Sequence, residues 1–387
     1  MWLLPALVVL ACGCAGAPGA SRNRPRLESH PALSPDGTRG AFVLEISGER
    51  PEQLSWRYVI TDLAHGTPLK WGPYSPEKPI VDRAIGWSDG QHAFVIRRER
   101  SLGPRDSHGE RRIALEILTS SPEKGERSVH TWPFVAYDKV RDEYDVRILS
   151  LTARQDGVLF AETVGADATE QQQQRLGRVD LDTGKATSLA LLPAGWRCWT
   201  VEDQTRTAQS RPILVVAEKG DQSARETALF AMGQGAAKLT MPLSSDMVAA
   251  RLAPHASALA FLADRGDDRY DLRIMPLTEG VGQARYFTRT VATLHSRQSL
   301  LWSPTGRELL VWFVRYTSSG PGREPWLLVD AITGETRRVD HGWTTIDAVQ
   351  WEPRGKSLLV AADGALWRLN PDDSSTQRVM AIPSPPK

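Results

Sequence analysis

The chain has 387 residues, 41% hydrophobic and 24% charged, and its 47 Lys and Arg against 46 Asp and Glu leave a formal charge of +1. This is an ordinary globular composition, and the near-zero balance excludes a whole-protein field that would gather nucleic acid or an anionic membrane surface. The 13 Trp outnumber the seven Tyr and the eight Phe, a bias that suits sheet faces and the packing between stacked sheets.

From the N-terminus, MWLLPALVVLACGCAGAPGA sets an apolar run from Trp2 to Ala11 before small residues and Pro. Residues 1–17 therefore read as a targeting leader, too short to cross a bilayer as an ordinary helix. Val9-Leu10-Ala11-Cys12 resembles the lipobox of bacterial lipoproteins. That resemblance implies lipidation of Cys12 and an exported protein, periplasmic or anchored at the outer membrane. Cys14 is a rival acceptor, and cleavage after Ala15-Gly16-Ala17 would leave a soluble exported protein. Residues 18–29 read as a linker. The one remaining cysteine, Cys198, lies between Trp196 and Trp199 and reads as a small buried hydrophobe.

A repeat begins after the linker. Ala32-Leu33-Ser34-Pro35-Asp36-Gly37 leads into a strand from Gly40 to Ile46, and Ile85-Gly86-Trp87-Ser88-Asp89-Gly90 into one from His92 to Ile96. Two weaker copies follow, Arg154-Gln155-Asp156-Gly157 before Val158 and Ser210-Arg211-Pro212 before Ile213. Leu252-Ala253-Pro254-His255, Leu301-Trp302-Ser303-Pro304-Thr305-Gly306 and Val349-Gln350-Trp351-Glu352-Pro353-Arg354-Gly355 complete the set. A second turn signal comes later in the clearer units, as in Asp180-Leu181-Asp182-Thr183-Gly184 and Asp330-Ala331-Ile332-Thr333-Gly334. Each unit thus reads as four short strands joined by tight turns, Pro presetting one turn position and Gly supplying φ > 0. The fold class is all-β, a β-propeller of four-stranded antiparallel blades over residues 30–381 with a tail at 382–387. Seven copies favour seven blades, with six or eight left open by the uneven spacing; Arg26 to His30 is the segment available to complete a shared blade.

The strand, Ser-Pro-Asp-Gly, strand pattern resembles the repeat of the TolB-type family, and in shape WD-repeat propellers and the propeller domains of prolyl-oligopeptidase-type enzymes. Ala258 to Gly266 followed by Leu272 to Leu277 carries the likeness most clearly. TolB adds an N-terminal α/β domain and is usually counted as six-bladed, and its partner is the peptidoglycan-associated lipoprotein. Here about a dozen linker residues stand in place of that domain, so the resemblance implies the propeller more than the partner. A prolyl-oligopeptidase relative would carry an α/β-hydrolase domain after the propeller, where this sequence has only the tail.

Several short motifs read as ordinary turns. Asp182-Thr183-Gly184 falls at a hairpin, and Arg265-Gly266-Asp267 with Asp264, Asp268 and Asp271 at a polar connection whose spacing matches no established calcium loop. Gln171 to Gln174 reads as a solvated lip. There is no Gly-x-Ser-x-Gly, His-Glu-x-x-His or Gly-rich phosphate loop, so no catalytic residue, metal or cofactor is implied.

Both kinds of tight turn fall on one face of the ring, leaving the longer connections to the other. Those connections are read as including Gly72–Asp82, Arg97–Arg111, Trp132–Tyr144, Thr163–Gln174, Thr288–Gln298, Arg315–Trp326 and Asp340–Thr345. The loop-rich face carries the candidate binding residues Trp132, Tyr137, Tyr144, Trp196, His295, Tyr316, Trp326, His341 and Trp343. The alternative for each is a wedge between blades. The functional expectation is a lipid-anchored, non-enzymatic monomer in the cell envelope that binds a protein or peptide, touching the membrane only through its anchor. The alternative is a propeller enzyme of polysaccharide lyase or glycosidase type, with ionisable groups from several blades converging at the mouth of the central channel.

Overall fold

A computed structural model describes residues 26–27, 31–46, 55–73, 80–88, 92–103, 112–138, 143–152, 154–164, 173–202, 213–220, 225–232, 235–254, 257–266, 269–277, 285–287, 300–312, 315–317, 320–322 and 325–383. Seven antiparallel four-stranded units follow one another along these residues. Blade 1 runs from Ala32–Leu33 to Thr67–Trp71, blade 2 from Ile80–Ser88 to Gly125–Asp138, and blade 3 from Val146–Leu151 to Ala186–Leu191. Blade 4 runs from Trp196–Glu202 to Gly235–Leu243 and blade 5 from Met247–Leu252 to Arg285–Phe287. Leu300–Trp302 to Thr336–Val339 form blade 6, and Ile346–Trp351 to Thr376–Ala381 form blade 7. The copies of the repeat that fall among the described residues, including the weak one at Gln155–Gly157, lie between the first and second strands of a blade, whereas Ser210-Arg211-Pro212 lies outside the described residues.

The first strand of each blade touches the first strand of the next from blade 1 to blade 7, and that of blade 7 touches Arg26–Leu27, just ahead of blade 1. These first strands are the innermost strands. Arg26–Leu27 pairs with Leu44 and Glu45 of blade 1, so this segment extends the first strand of its own blade and does not complete a shared one. The ring closes instead through side chains: Leu33, Phe42, Leu44, Val59 and Leu63 of blade 1 pack against Ala348, Leu359, Ala361, Leu366, Met380 and Ile382 of blade 7. Comparable clusters fill every other junction. The second strand of each blade alternates its side chains between two buried faces, one for each neighbouring blade, which is why these strands read as near-continuous apolar runs, while the outermost strands stay largely exposed.

The tight turns are built alike. Ser34 and Ser303 each receive the backbone N–H five residues on through Oγ, at 2.9 and 3.0 Å, and Gly37 and Gly306 bond back to the same serines' carbonyls. In the weak copy of blade 3, Thr152 takes the serine's part and Gln155 adopts φ 55°, where Gly37 has φ 73°. A side chain other than Gly in a left-handed turn hides the motif from the sequence without changing its shape. In the second class of turn a carboxylate collects backbone N–H groups: Asp330 accepts from Ile332 and Thr333 at 2.9 Å each, and Asp180 accepts from Thr183 at 2.8 Å.

Three tryptophans at one repeat position tie the inner ring together. The Trp87 indole N–H donates to the Ala32 carbonyl at 2.8 Å, Trp302 to Arg251 at 3.0 Å and Trp351 to Leu301 at 3.1 Å. Each reaches the innermost strand of the preceding blade, satisfying a carbonyl that water cannot easily reach.

The junction of blades 1 and 2 buries a network of charged groups. Arg98, 1% exposed in its side chain, forks onto Asp82, which is fully buried, at 2.7 and 3.1 Å. It also donates to Glu126 at 2.9 and 3.2 Å, and the Tyr58 hydroxyl donates to Glu126 at 2.6 Å and lies 2.8 Å from Ser120 Oγ. Burial pushes the Asp82 carboxyl up in spite of Arg98, and pushes the Tyr58 phenol up with the help of Glu126. Burial opposes the charge on Glu126 most strongly, but the hydrogen bonds from Arg98 and Tyr58 with the charges of Arg98 and Lys70 together outweigh it and hold that carboxyl down. One guanidinium thus serves two carboxylates, with every member hydrogen-bonded.

Two outcomes follow from these contacts. The backbone N–H bond from Thr333, then burial in opposition and the bonds from Ile332 and Arg307, leave the Asp330 carboxyl lowered to about 2. A carboxyl lowered on folding stabilises above its unfolded value and loses that contribution as pH falls towards the folded one. Unfolding free energy in urea should therefore drop between about pH 4 and pH 2, and Asp330→Asn should remove about 1 kcal/mol of that slope after allowance for solvent screening. Arg98→Met should cost about 3–5 kcal/mol by stranding two carboxylates in the core, and adding Asp82→Asn and Glu126→Gln should recover part of the loss in the same assay.

Candidate functional site at the channel mouth

The second strand of blade 2, Ala93–Ser101, begins with the buried apolar run Ala93 to Ile96 and continues as Arg97, Arg98, Glu99 and Arg100. The sequence reading places a connection from Arg97 onward, whereas the structure carries the strand five residues further. The physical reason is pairing: Arg97 to Ser101 hold ladder positions opposite Ile80 to Arg83 on one side and Ile113 to Ile117 on the other, apart from Ser101, which pairs only with Ile113. Charged side chains in such a run keep the two-residue alternation. Arg98 faces blade 1, as described above, while Val95 packs into the cluster shared with blade 3, so Arg97 and Glu99 share that opposite side.

On that side a cationic group assembles at the loop-rich end of the channel. Arg97 stands directly opposite Arg83 of the innermost strand. Glu99 pairs with Arg97 and lies 3.9 Å from Arg83. Across the junction, Arg147 of blade 3's innermost strand donates Nη1 to the Cys198 carbonyl of blade 4 at 3.3 Å. The charges of Arg83 and Arg147 both bear on Arg97. Burial, first, and these two like charges lower the Arg97 guanidinium from its ordinary value, with Glu99 and Tyr144 acting the other way. Its Nε is buried without a hydrogen-bond partner among the described residues. Arg83 and Arg147 thus add like charge to a largely buried Arg97 whose paired carboxylate is Glu99, an arrangement that a further anion would relieve. Such a group can bind, orient and neutralise a carboxylate, because the guanidinium fork matches carboxylate geometry.

Of the residues singled out from the sequence, Tyr144 belongs to this region: it packs against Ile113, Leu115, Val135 and Val146 and bears on Arg97. Trp132 lies on the last strand of blade 2, edge-on to Phe160 of blade 3 at 5.1 Å and to His130 at 4.4 Å. Tyr137 is on the same strand, paired in register with Tyr144. Trp196 meets Phe230 edge-on at 5.1 Å, within the core shared by blades 3 and 4. Trp326, His341 and Trp343 come together between blades 6 and 7: ring centroids of Trp326 and His341 are 4.8 Å apart, His341 stacks on Trp343 at 5.7 Å, and Trp326 is fully buried. Tyr316 sits in a small hairpin, Arg315–Thr317 with Gly320–Gly322, inserted in blade 6. His295 and Cys12 lie outside the described residues. The aromatics with described side chains are thus packed largely as inter-blade wedges, and the charge that meets at the mouth was not among the residues singled out.

The discounted motifs are structural. Gly184, with φ 71°, lies so close to blade 2 that a Cβ there would meet the Val129 carbonyl at 2.2 Å. His130 Nδ1 also contacts the Gly184 carbonyl at 3.0 Å. Arg265 pairs with Asp271 at 3.5 Å, and Asp264 accepts the Gly266 N–H at 2.8 Å.

No protein-family model and no curated protein sequence matches the chain. Solved structures do. An oligogalacturonate lyase from Vibrio parahaemolyticus aligns with a TM-score of 0.53 and 12% identity, over 88% of this chain and 87% of that one. The β-propeller domain of the Trilobed protease from Pyrococcus furiosus, described as having an open velcro topology, gives 0.55 and 11% over 94% and 97%. Prolyl oligopeptidase B from Galerina marginata gives 0.58 and 9% over 94% of this chain, which spans 52% of that enzyme. These similarities show the β-propeller fold. They also correct one expectation: with enzymes and enzyme domains so prominent among propellers of this shape, a lack of catalytic signature in the sequence does not make the chain a non-enzyme.

Proposed function

We propose that this propeller binds a carboxylate-bearing saccharide at the loop-face mouth of its channel. The observation that carries the proposal is that Arg83 and Arg147, from blades 2 and 3, bear on a largely buried Arg97 whose Nε has no hydrogen-bond partner among the described residues. Of the two expectations drawn from the sequence, the one that requires ionisable groups from several blades to meet near the channel has support in this cluster. The aromatic face required by protein or peptide docking is taken up largely by packing between blades. One solved propeller of this shape is named an oligogalacturonate lyase, which makes galacturonate oligomers a suitable first probe.

Calorimetric titration with tri-galacturonate should show binding that weakens as salt rises, because the contacts are charge-assisted. Arg147→Ala should weaken it by about tenfold or more, corresponding to one charge-assisted hydrogen-bonded contact. The same mixture, followed by the absorbance of an unsaturated uronate product, reads out elimination. Equal affinity for a neutral galactose trimer, or no response to Arg147→Ala, would contradict the proposal.

We also propose that the chain is a TolB-like exported lipoprotein of the envelope, carried to the membrane by lipid on Cys12. Its support is the lipobox-like sequence ahead of the propeller. Mass spectrometry of the mature N-terminus should find an acylated Cys12 that is lost in Cys12→Ala, and an unmodified N-terminus beyond Ala17 would contradict this.

A further inference from the structure

The innermost strands of blades 2, 3, 4, 5 and 7 share an irregularity. Each of those in blades 2, 3 and 4 carries a bulge, at Ile85, Leu149 and Trp199, where the ladder to the second strand skips one residue. Counting two residues back from each bulge gives Arg83, Arg147 and Arg197. In blades 5 and 7, which have bulges at Val248 and Asp347, the same position holds Asp246 and Thr345. Arginine therefore occupies one register in three consecutive blades and stops there. Because a bulge fixes the twist and direction of the residues beside it, equal register in neighbouring blades means equal height along the channel.

Arg197 differs from the other two in its surroundings. It is half-buried, and beyond its backbone place in the ladder its side chain makes no hydrogen bond or ion pair among the described residues. Its ladder neighbour Glu218 pairs with Arg225 at 3.1 Å and so is engaged elsewhere. Arg147 spans the gap between the two, since its guanidinium reaches the carbonyl of Cys198, the residue after Arg197. On the far side, Asp246 pairs with Arg273 at 3.4 Å, which closes the row with a carboxylate already neutralised.

We propose that Arg83, Arg147 and Arg197 form a row along the channel mouth that binds an acidic oligosaccharide through carboxylates on successive sugar units, with Arg197 setting the preference for the longer chain. This rests on the saccharide-binding proposal above and adds the ligand's multivalency. A single carboxylate would satisfy the cluster around Arg97 and leave Arg197 unused. A ligand with several carboxylates engages neighbouring blades at once, so each added unit raises affinity through effective concentration.

The test titrates the whole chain with galacturonic acid, its dimer and its trimer at fixed ionic strength. Affinity should rise at least tenfold from monomer to trimer. Arg197→Ala should lower the trimer-to-monomer affinity ratio by at least fivefold, Arg197→Lys should restore part of it, and Arg338→Ala, an exposed charge on the outer strand of blade 6, should leave it unchanged. Unaltered melting temperatures confirm that the variants are folded. If all three acids bind with equal affinity, or if Arg197→Ala and Arg338→Ala act alike, the row is overturned while saccharide binding at the mouth stands. If none of the acids binds, both are overturned.

Discussion

A four-stranded sheet with two apolar faces has nowhere stable to go except between two others like it. That constraint governs this molecule. Each blade buries one face against its predecessor and one against its successor, and the pattern ends only where blade 7 meets blade 1 through Phe42, Leu44, Leu359 and Met380. Among the described residues no strand is exchanged between the ends, so closure rests on packing between blades 7 and 1, and stability is shared among the junctions. The tryptophans that bridge innermost strands add direction to this packing, because an indole N–H can satisfy the neighbouring carbonyl from one position only.

The same geometry turns sequence register into spatial proximity. Residues at one register of successive innermost strands become neighbours at the channel, though about 50 residues separate them along the chain. A cationic mouth then requires only that a few blades carry arginine at that register, with the rest of the repeat left intact. Blade 2 bears the largest share of charge. Its two faces divide the work: one holds Arg98 with Asp82 and Glu126 in a satisfied core network, and the other presents Arg97 and Glu99 to the junction with blade 3. The network anchors the strand from behind, so that Arg97 is held rigidly where like charges oppose it.

The architecture was legible because turns report themselves. Ser34-Pro35-Asp36-Gly37 and Asp330 to Gly334 carry the residues that their geometry demands, and seven copies could be counted even though Gln155 stands in one left-handed position. Closure was not legible, since nothing in the local pattern of blade 1 or blade 7 says which packs on which. The site was missed for a related reason. Ile-Arg-Arg-Glu-Arg, residues 96–100, resembles the start of a polar connection, although its alternation continues the preceding apolar strand, and that continued period was the available signal. The bulges that align Arg83, Arg147 and Arg197 leave no mark in single-strand composition. Aromatic residues drew attention at the loop-rich face, but large flat side chains fill wedges between twisted sheets at least as readily as they meet ligands, and Trp196 and Trp326 do so here.

The most direct test is a crystal structure of the chain with a galacturonate trimer bound. The account predicts carboxylates within hydrogen-bond distance of the Arg83, Arg147 and Arg197 guanidinium groups, at the loop-face end of a closed seven-bladed ring. A trimer seated on the turn face or against the Trp326–His341–Trp343 wedge, or a ring in which blades 7 and 1 stand apart, would contradict it.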